Sequence, residues 1–190
     1  MNNPSHSAAH SARHHVQTAV CIVGNGAIAK TAALAFAQSG QSVTLLGPPP
    51  APQREDQASW DVRVFALNHT ANKLLERLKV WGAMDQARIA PVDAMLVNGD
   101  GAGAGALNFD AYGAHIGTLC WIVEDRNLNQ ALDAALRFAQ NVHVVHGRAT
   151  ALHTEGDCAT ISLEDGSPRV CPVRIECDLA GAAPGACSPR

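Results

Sequence analysis

Apolar residues along this chain fall into short runs separated by glycine, proline and polar clusters. Ala19–Val23 is continuous, largely β-branched and bounded by glycine, so it predicts a buried strand. Gly24, Gly26 and Ala29 follow, and an Ala-rich segment to Gln38 predicts a helix that Gly40 stops. Gln41–Leu46 predicts a second strand, with Val43, Leu45 and Leu46 apolar. Gly47-Pro48-Pro49-Pro50 ends it, and a polar loop continues through Ser59. Leu74, Leu75, Leu78 and Trp81 fall at helical spacing within Thr70–Trp81. Ala94–Val97 and Ala106–Phe109 flank the flexible NGDGAGAG and predict a hairpin. Leu119–Val123 predicts a strand. Arg126–Ala139 predicts an amphipathic helix with Leu128, Leu132, Ala135, Leu136 and Ala139 on one side. Val142–Val145 and Ala159–Leu163 predict further strands, the latter turned by Glu164-Asp165-Gly166. Beyond Ser167 the pattern decays into proline, cysteine and glycine without a period.

This order predicts an α/β fold: a Rossmann-like parallel sheet with an inserted antiparallel β segment. The expected organisation is a disordered tail over 1–17, a binding domain over 18–166 with an insertion near 92–122, and an irregular tail over 167–190. His6, His10, His14 and His15 give the first tail a metal-binding alternative, which their irregular spacing disfavours. That tail lacks the apolar centre of a signal peptide.

Composition narrows the function classes. A formal net charge of -3 and a pI near 6.3 give no basic patch, which argues against nucleic acid as a partner. The 6 cysteines form no C-x-x-C pair or zinc spacing. Cys21 and Cys120 sit inside apolar runs and read as small core residues, which suits a reducing cytoplasm. No apolar stretch approaches the ~20 residues that span a bilayer.

The spacing G-x-G-x-x-A between a strand and a helix is the pattern of a dinucleotide site. Gly24 permits a tight turn, Gly26 lets a pyrophosphate approach the backbone, and Ala29 allows close helix–strand packing. The helix N-terminus then offers unbonded N–H groups and a partial positive charge to phosphates. The competing reading of the glycines is a tight turn alone.

Three blocks in order carry a resemblance to a known family. They are CIVGNGAIAKTAALAFAQSGQSVTLLG, WDVRVFALNHTANKLLERLKVWGAMD with its D-x-R-x-x-A-L segment, and LCWIVEDRNLNQAL. Together the chain resembles the FAD-dependent hydroxylases of ubiquinone biosynthesis, the 2-polyprenyl-6-methoxyphenol hydroxylase group. These are para-hydroxybenzoate hydroxylase-like class A flavoprotein monooxygenases. The resemblance implies FAD bound at Gly24, Gly26 and Ala29, with Arg63 and Arg126 as further cofactor contacts and no metal. It also implies NAD(P)H as reductant, and a polyprenyl phenol and O₂ as substrates. Other ubiquinone-biosynthesis proteins and a peripheral association with the inner face of the membrane fit the same resemblance. No catalytic residue is assigned.

Two departures stand beside it. The acid that accepts the adenosine ribose should fall near Gly47, and neither Leu46 nor Gly47 can serve. The family's second and third flavin motifs are not found, so the resemblance implies only the N-terminal half, and a shifted frame or truncation would suit the residues after Ser167. On that basis the chain alone is expected to be inactive. Arg63 has the alternative of a surface ion pair with Asp61, which would otherwise orient this segment. Glu124 either bonds within the site or caps the following helix. Trp81 reads as core packing and His69 as an exposed residue at a helix entry. The alternative functions are an NADP-dependent reductase of the ketopantoate reductase type, disfavoured by the lack of a basic residue at Gly47, and an inert nucleotide-binding fragment.

Overall fold

The computed structural model describes residues 18–49, 60–101, 103–155, 158–164, 168–171 and 173–176. The expected tail over 1–17, the loop over 50–59 and the residues from 177 onward lie outside that set.

Strand β1 (Val20–Val23) leads into helix α1 (Ala27–Gln38) and strand β2 (Val43–Gly47). Strand β3 (Val64–Leu67), helix α2 (His69–Arg77) and strand β4 (Ile89–Val92) come next, with two short 3₁₀ turns between the last two. The hairpin of β5 (Ala94–Asn98) and β6 (Ala106–Asp110) precedes β7 (Cys120–Glu124) and helix α3 (Asp125–Phe138). Strands β8 (Val142–His146), β9 (Ala149–Glu155), β10 (Cys158–Leu163), β11 (Pro168–Cys171) and β12 (Val173–Glu176) complete the order.

A parallel sheet runs β12-β1-β2-β8, and three antiparallel sheets run β11-β10-β9, β3-β7-β4 and β5-β6. The α/β fold with inserted antiparallel strands is therefore the observed one. Alternation along the central strands explains the layering. Val20, Ile22, Val43 and Leu45 face a core shared with Ala29, Ala33 and Leu34 of α1 and Leu128, Leu132 and Leu136 of α3. Cys21 and Leu46, on the other face, pack with Ala159, Ile161 and Leu163 of β10. Each wholly buried aliphatic side chain contributes about 1.5–3 kcal/mol. Both faces of the sheet are thus covered, which is why its strands read as continuous apolar runs.

The C-terminus of α1 is closed by Gly40 at φ 86, with the N–H of Gly40 bonded to the Ala37 carbonyl and that of Gln41 to Phe36. This left-handed stop needs glycine.

The structure adds five strands that periodicity does not predict: β3, β4, β9, β11 and β12. Pro91 lies inside β4, which is tolerated because β4 is an edge strand paired only with β7. After Ser167, where the pattern predicts irregular chain, β11 pairs with β10 and β12 pairs in parallel with β1. β12 is held by a ladder to a strand far away in sequence, so its local pattern carries little signal, whereas β11 closes a local hairpin onto β10.

Candidate functional site

The turn between β1 and α1 has the geometry that the G-x-G-x-x-A spacing predicts. Gly24 sits at φ 133, where a Cβ would be strained, and its N–H donates to the Leu46 carbonyl at 2.7 Å. Gly26 is the N-cap of α1, with φ -77 and ψ 176. A Cβ there would meet nothing within 4 Å. The α1 N-terminus therefore opens onto clear space, with the first-turn N–H groups that intrahelical bonding leaves unused. Ala29 is wholly buried against the sheet.

The two arginines come together at the other end of the chain's second and third blocks. β3 pairs antiparallel with β7, bringing Val64 opposite Glu124. Residues 61–63 are stitched to residues 124–126 on this seam. Asp61 Oδ1 accepts the Arg63 N–H at 3.1 Å and Oδ2 accepts the Arg126 N–H at 3.1 Å. The Asp61 N–H donates to Glu124 Oε2 at 3.0 Å, and the Asp125 N–H donates to the Arg63 carbonyl at 2.9 Å. Asp61 thus caps α3 from a separate segment. The Arg63 N–H, above all, holds its carboxyl below the ordinary aspartate range; burial pulls the other way, while the Arg126 N–H and both guanidinium charges add to the lowering.

Arg63 is exposed and reaches Asp125 Oδ2 at 3.4 Å. Its ion-pair partner is thus Asp125 rather than Asp61, which takes the backbone N–H instead. Arg126 lines a polar cavity of about 160 Å³ with Asp85, Arg88, Glu124, Asn127 and Gln130.

Glu124 does not cap α3 through its side chain. It is 3% exposed and its carboxylate takes Arg88 Nη1 at 3.0 and 2.8 Å. Arg88 in turn stands 4.9 Å from the Trp60 ring. His69, expected as an exposed helix-entry residue, is half-buried instead. Its Nε2 lies 2.7 Å from the Thr118 carbonyl and its ring meets Trp121 edge-on at 4.9 Å. Trp81 packs edge-on against the same Trp121. Cys21 and Cys120 are buried, as their apolar runs predict.

Sequence reasoning misses Asn25, Lys30 and Arg88. Lys30 is buried on α1 and joins it to α3 through Asp133 Oδ1 at 2.7 Å and Asn129 Oδ1 at 3.0 Å. A lone lysine in the Ala-rich stripe of α1 is the signal that could reveal it. Arg88 has no such signal, lying in a 3₁₀ turn before a short strand.

Among the described residues no helix is long and apolar enough to cross a membrane. No protein-family model matches the chain. The chain is 28% identical over 148 residues to the ubiquinone hydroxylase UbiL of Rhodospirillum rubrum, covering 77% of this chain and 34% of that protein. Among solved structures, p-nitrophenol 4-monooxygenase PnpA of Pseudomonas putida is similar with a TM-score of 0.64 at 16% identity, over 85% of this chain and 40% of that one. The anhydrotetracycline hydroxylase OxyS of Streptomyces rimosus gives 0.64 at 17%, over 85% and 32%. The flavin-dependent monooxygenase PieE, solved with FAD and substrate, gives 0.59 at 18%, over 83% and 29%. The chain thus has the fold of FAD-binding monooxygenases and spans about a third of the length of the curated relative it matches.

Proposed function

We propose that this chain is the FAD-binding portion of an NAD(P)H-dependent flavoprotein monooxygenase that hydroxylates a polyprenyl phenol of ubiquinone biosynthesis. The observation that carries the reading is the open cradle at the α1 N-terminus. Gly26 leaves clear space where a side chain would stand, while Gly24 turns the strand end toward the helix. A diphosphate fits that space by charge and by donor supply. The relative's name, ubiquinone hydroxylase, supports the substrate class.

Bound FAD would supply the redox chemistry, linking a nicotinamide reductant to O₂ and an activated phenol ring. The chain's own residues do the positioning. Gly24, Gly26 and Ala29 admit the diphosphate and seat the helix close to the sheet. Asp61, through the Arg63 and Arg126 N–H groups, fixes the two segments from which those cations project. The guanidinium groups would then serve the cofactor as permanent charges, each charge-assisted bond being worth about 1.5–3 kcal/mol. Peripheral membrane association, a place at the cytoplasmic side and other ubiquinone-biosynthesis proteins as partners belong to the same reading. So does the statement that the chain alone binds FAD without coupled hydroxylation.

The test compares FAD titrations of the wild type and Gly26→Val by flavin fluorescence. Gly26 has ordinary φ and open surroundings, so valine is accommodated while blocking the diphosphate. The expected result is affinity lowered about tenfold or more, with unchanged circular dichroism. Equal affinities would overturn the cradle. Arg63→Ala and Arg126→Ala are each expected to weaken FAD binding; unchanged affinity in both would return them to structural roles. NADPH and a polyprenyl phenol supplied with FAD and O₂ are expected to give peroxide without product, and coupled product would refute the statement about the chain alone.

A further inference from the structure

In dinucleotide folds an acid at the end of the second strand accepts the ribose hydroxyls, and its charge rejects a 2′-phosphate. Gly47 ends β2 here. A Cβ on Gly47 would stand 2.9 Å from Asn25 Cβ, 3.0 Å from the Gly24 carbonyl carbon and 3.1 Å from the Asn25 nitrogen. Two of those atoms are backbone and cannot swing aside. Asn25 Nδ2 also donates to the Pro48 carbonyl at 2.6 Å. The β1–α1 turn is therefore laid directly on the end of β2. Among the described residues, the side chain seated on the end of β2 is the neutral carboxamide of Asn25, which comes from the turn rather than the strand.

We infer that the nucleotide pocket does not discriminate against a 2′-phosphate on the adenosine ribose, and that Asn25 sets this tolerance. The inference rests on the dinucleotide reading of the cradle proposed above. An uncharged amide imposes no repulsion on a phosphate dianion, whereas a carboxylate at the same corner would repel it. Adenine nucleotides carrying a 2′-phosphate, the class that includes NADPH, then compete with unphosphorylated ones for the same turn.

Isothermal titration of the 190-residue chain with ADP-ribose and with 2′-phospho-ADP-ribose tests this, because the two differ only at the 2′ position. The expected dissociation constants lie within about threefold of each other. Asn25→Asp is expected to weaken 2′-phospho-ADP-ribose about tenfold more than ADP-ribose. Asn25→Ser, neutral but without the amide donor, is expected to leave the ratio near that of the wild type. Wild-type binding of ADP-ribose tenfold or more tighter than its 2′-phosphate would overturn the inference, independently of how any variant folds. An unchanged ratio in Asn25→Asp would remove Asn25 as its cause. Binding of neither ligand would refute the dinucleotide reading itself, and the inference with it.

Discussion

Ile22 in β1 and Leu46 in β2 are wholly buried, while Leu96 in β5 and Leu107 in β6 are 63% and 62% exposed. Both pairs sit on continuous hydrogen-bonded ladders, Ile22 opposite Leu45 and Val97 opposite Leu107. The difference is the second layer. The parallel sheet has helices on one face and β10 on the other, whereas Met95, Leu96, Val97, Leu107 and Phe109 of the hairpin are all exposed. Ladder bonds give a strand its geometry, but a two-stranded ribbon without a layer against it is marginal. The stability of the described chain resides in the sheet that carries the glycine turn.

Ile22→Ala probes the covered region and is expected to have the largest effect, about 2–5 kcal/mol in urea unfolding. A cost below about 1 kcal/mol would mean that the sheet is not the stabilising core.

The seam that ties residues 61–63 to the start of α3, outside both regions, should respond at intermediate size. Asp61→Ala removes the acceptor of the Arg63 and Arg126 N–H groups, at about 1 kcal/mol. The effect should depend on pH with a definite sign. The Asp61 carboxyl is held below its ordinary range in the folded chain, so the unfolded chain binds the proton more readily. The contribution is therefore complete at neutral pH and is lost as pH falls through the ordinary aspartate range and below. The stability gap between wild type and Asp61→Asn should narrow on acidification over that window. A gap that widened would place the stabilisation elsewhere.

Leu107→Ala, in the uncovered ribbon, should have the smallest effect, below about 0.5 kcal/mol. A loss comparable with that of Ile22→Ala would show that the hairpin is covered in solution and erase the contrast.

Much of this division is legible in the sequence. Ala19–Val23 and the Leu128, Leu132 and Leu136 stripe announce the buried layer, since burial on a whole face imposes a period. Gly24, Gly26 and Gly40 are legible because two need backbone freedom and one needs clear space. What stays hidden is whatever depends on a distant partner. Glu124 by position could bond within the site or cap the following helix, and only the fold decides: Arg88 claims its carboxylate and Asp61 takes the helix N–H instead. His69 looks exposed at a helix entry until Thr118 and Trp121 close on it. The corner formed by Asn25 and Gly47 is invisible because neither residue signals the other. The two blocks containing Arg63 and Arg126 are separate in sequence and adjacent only because β3 pairs with β7.

The position of β12 has a consequence for the order of folding. Its register places Val173 beside Val20, almost the whole described chain apart, whereas β1 meets β2 across one helix. Closing so long a loop costs entropy before any ladder bond repays it, and non-local pairings form slowly. Synthesis proceeds from the N-terminus, so β1, α1 and β2 leave the ribosome well before residue 173 exists. Until then the outer edge of β1 presents unpaired N–H and C=O groups to any passing strand. The nascent chain is most open to mispairing at the strand that carries its glycine turn, and that exposure lasts until the last described strand arrives.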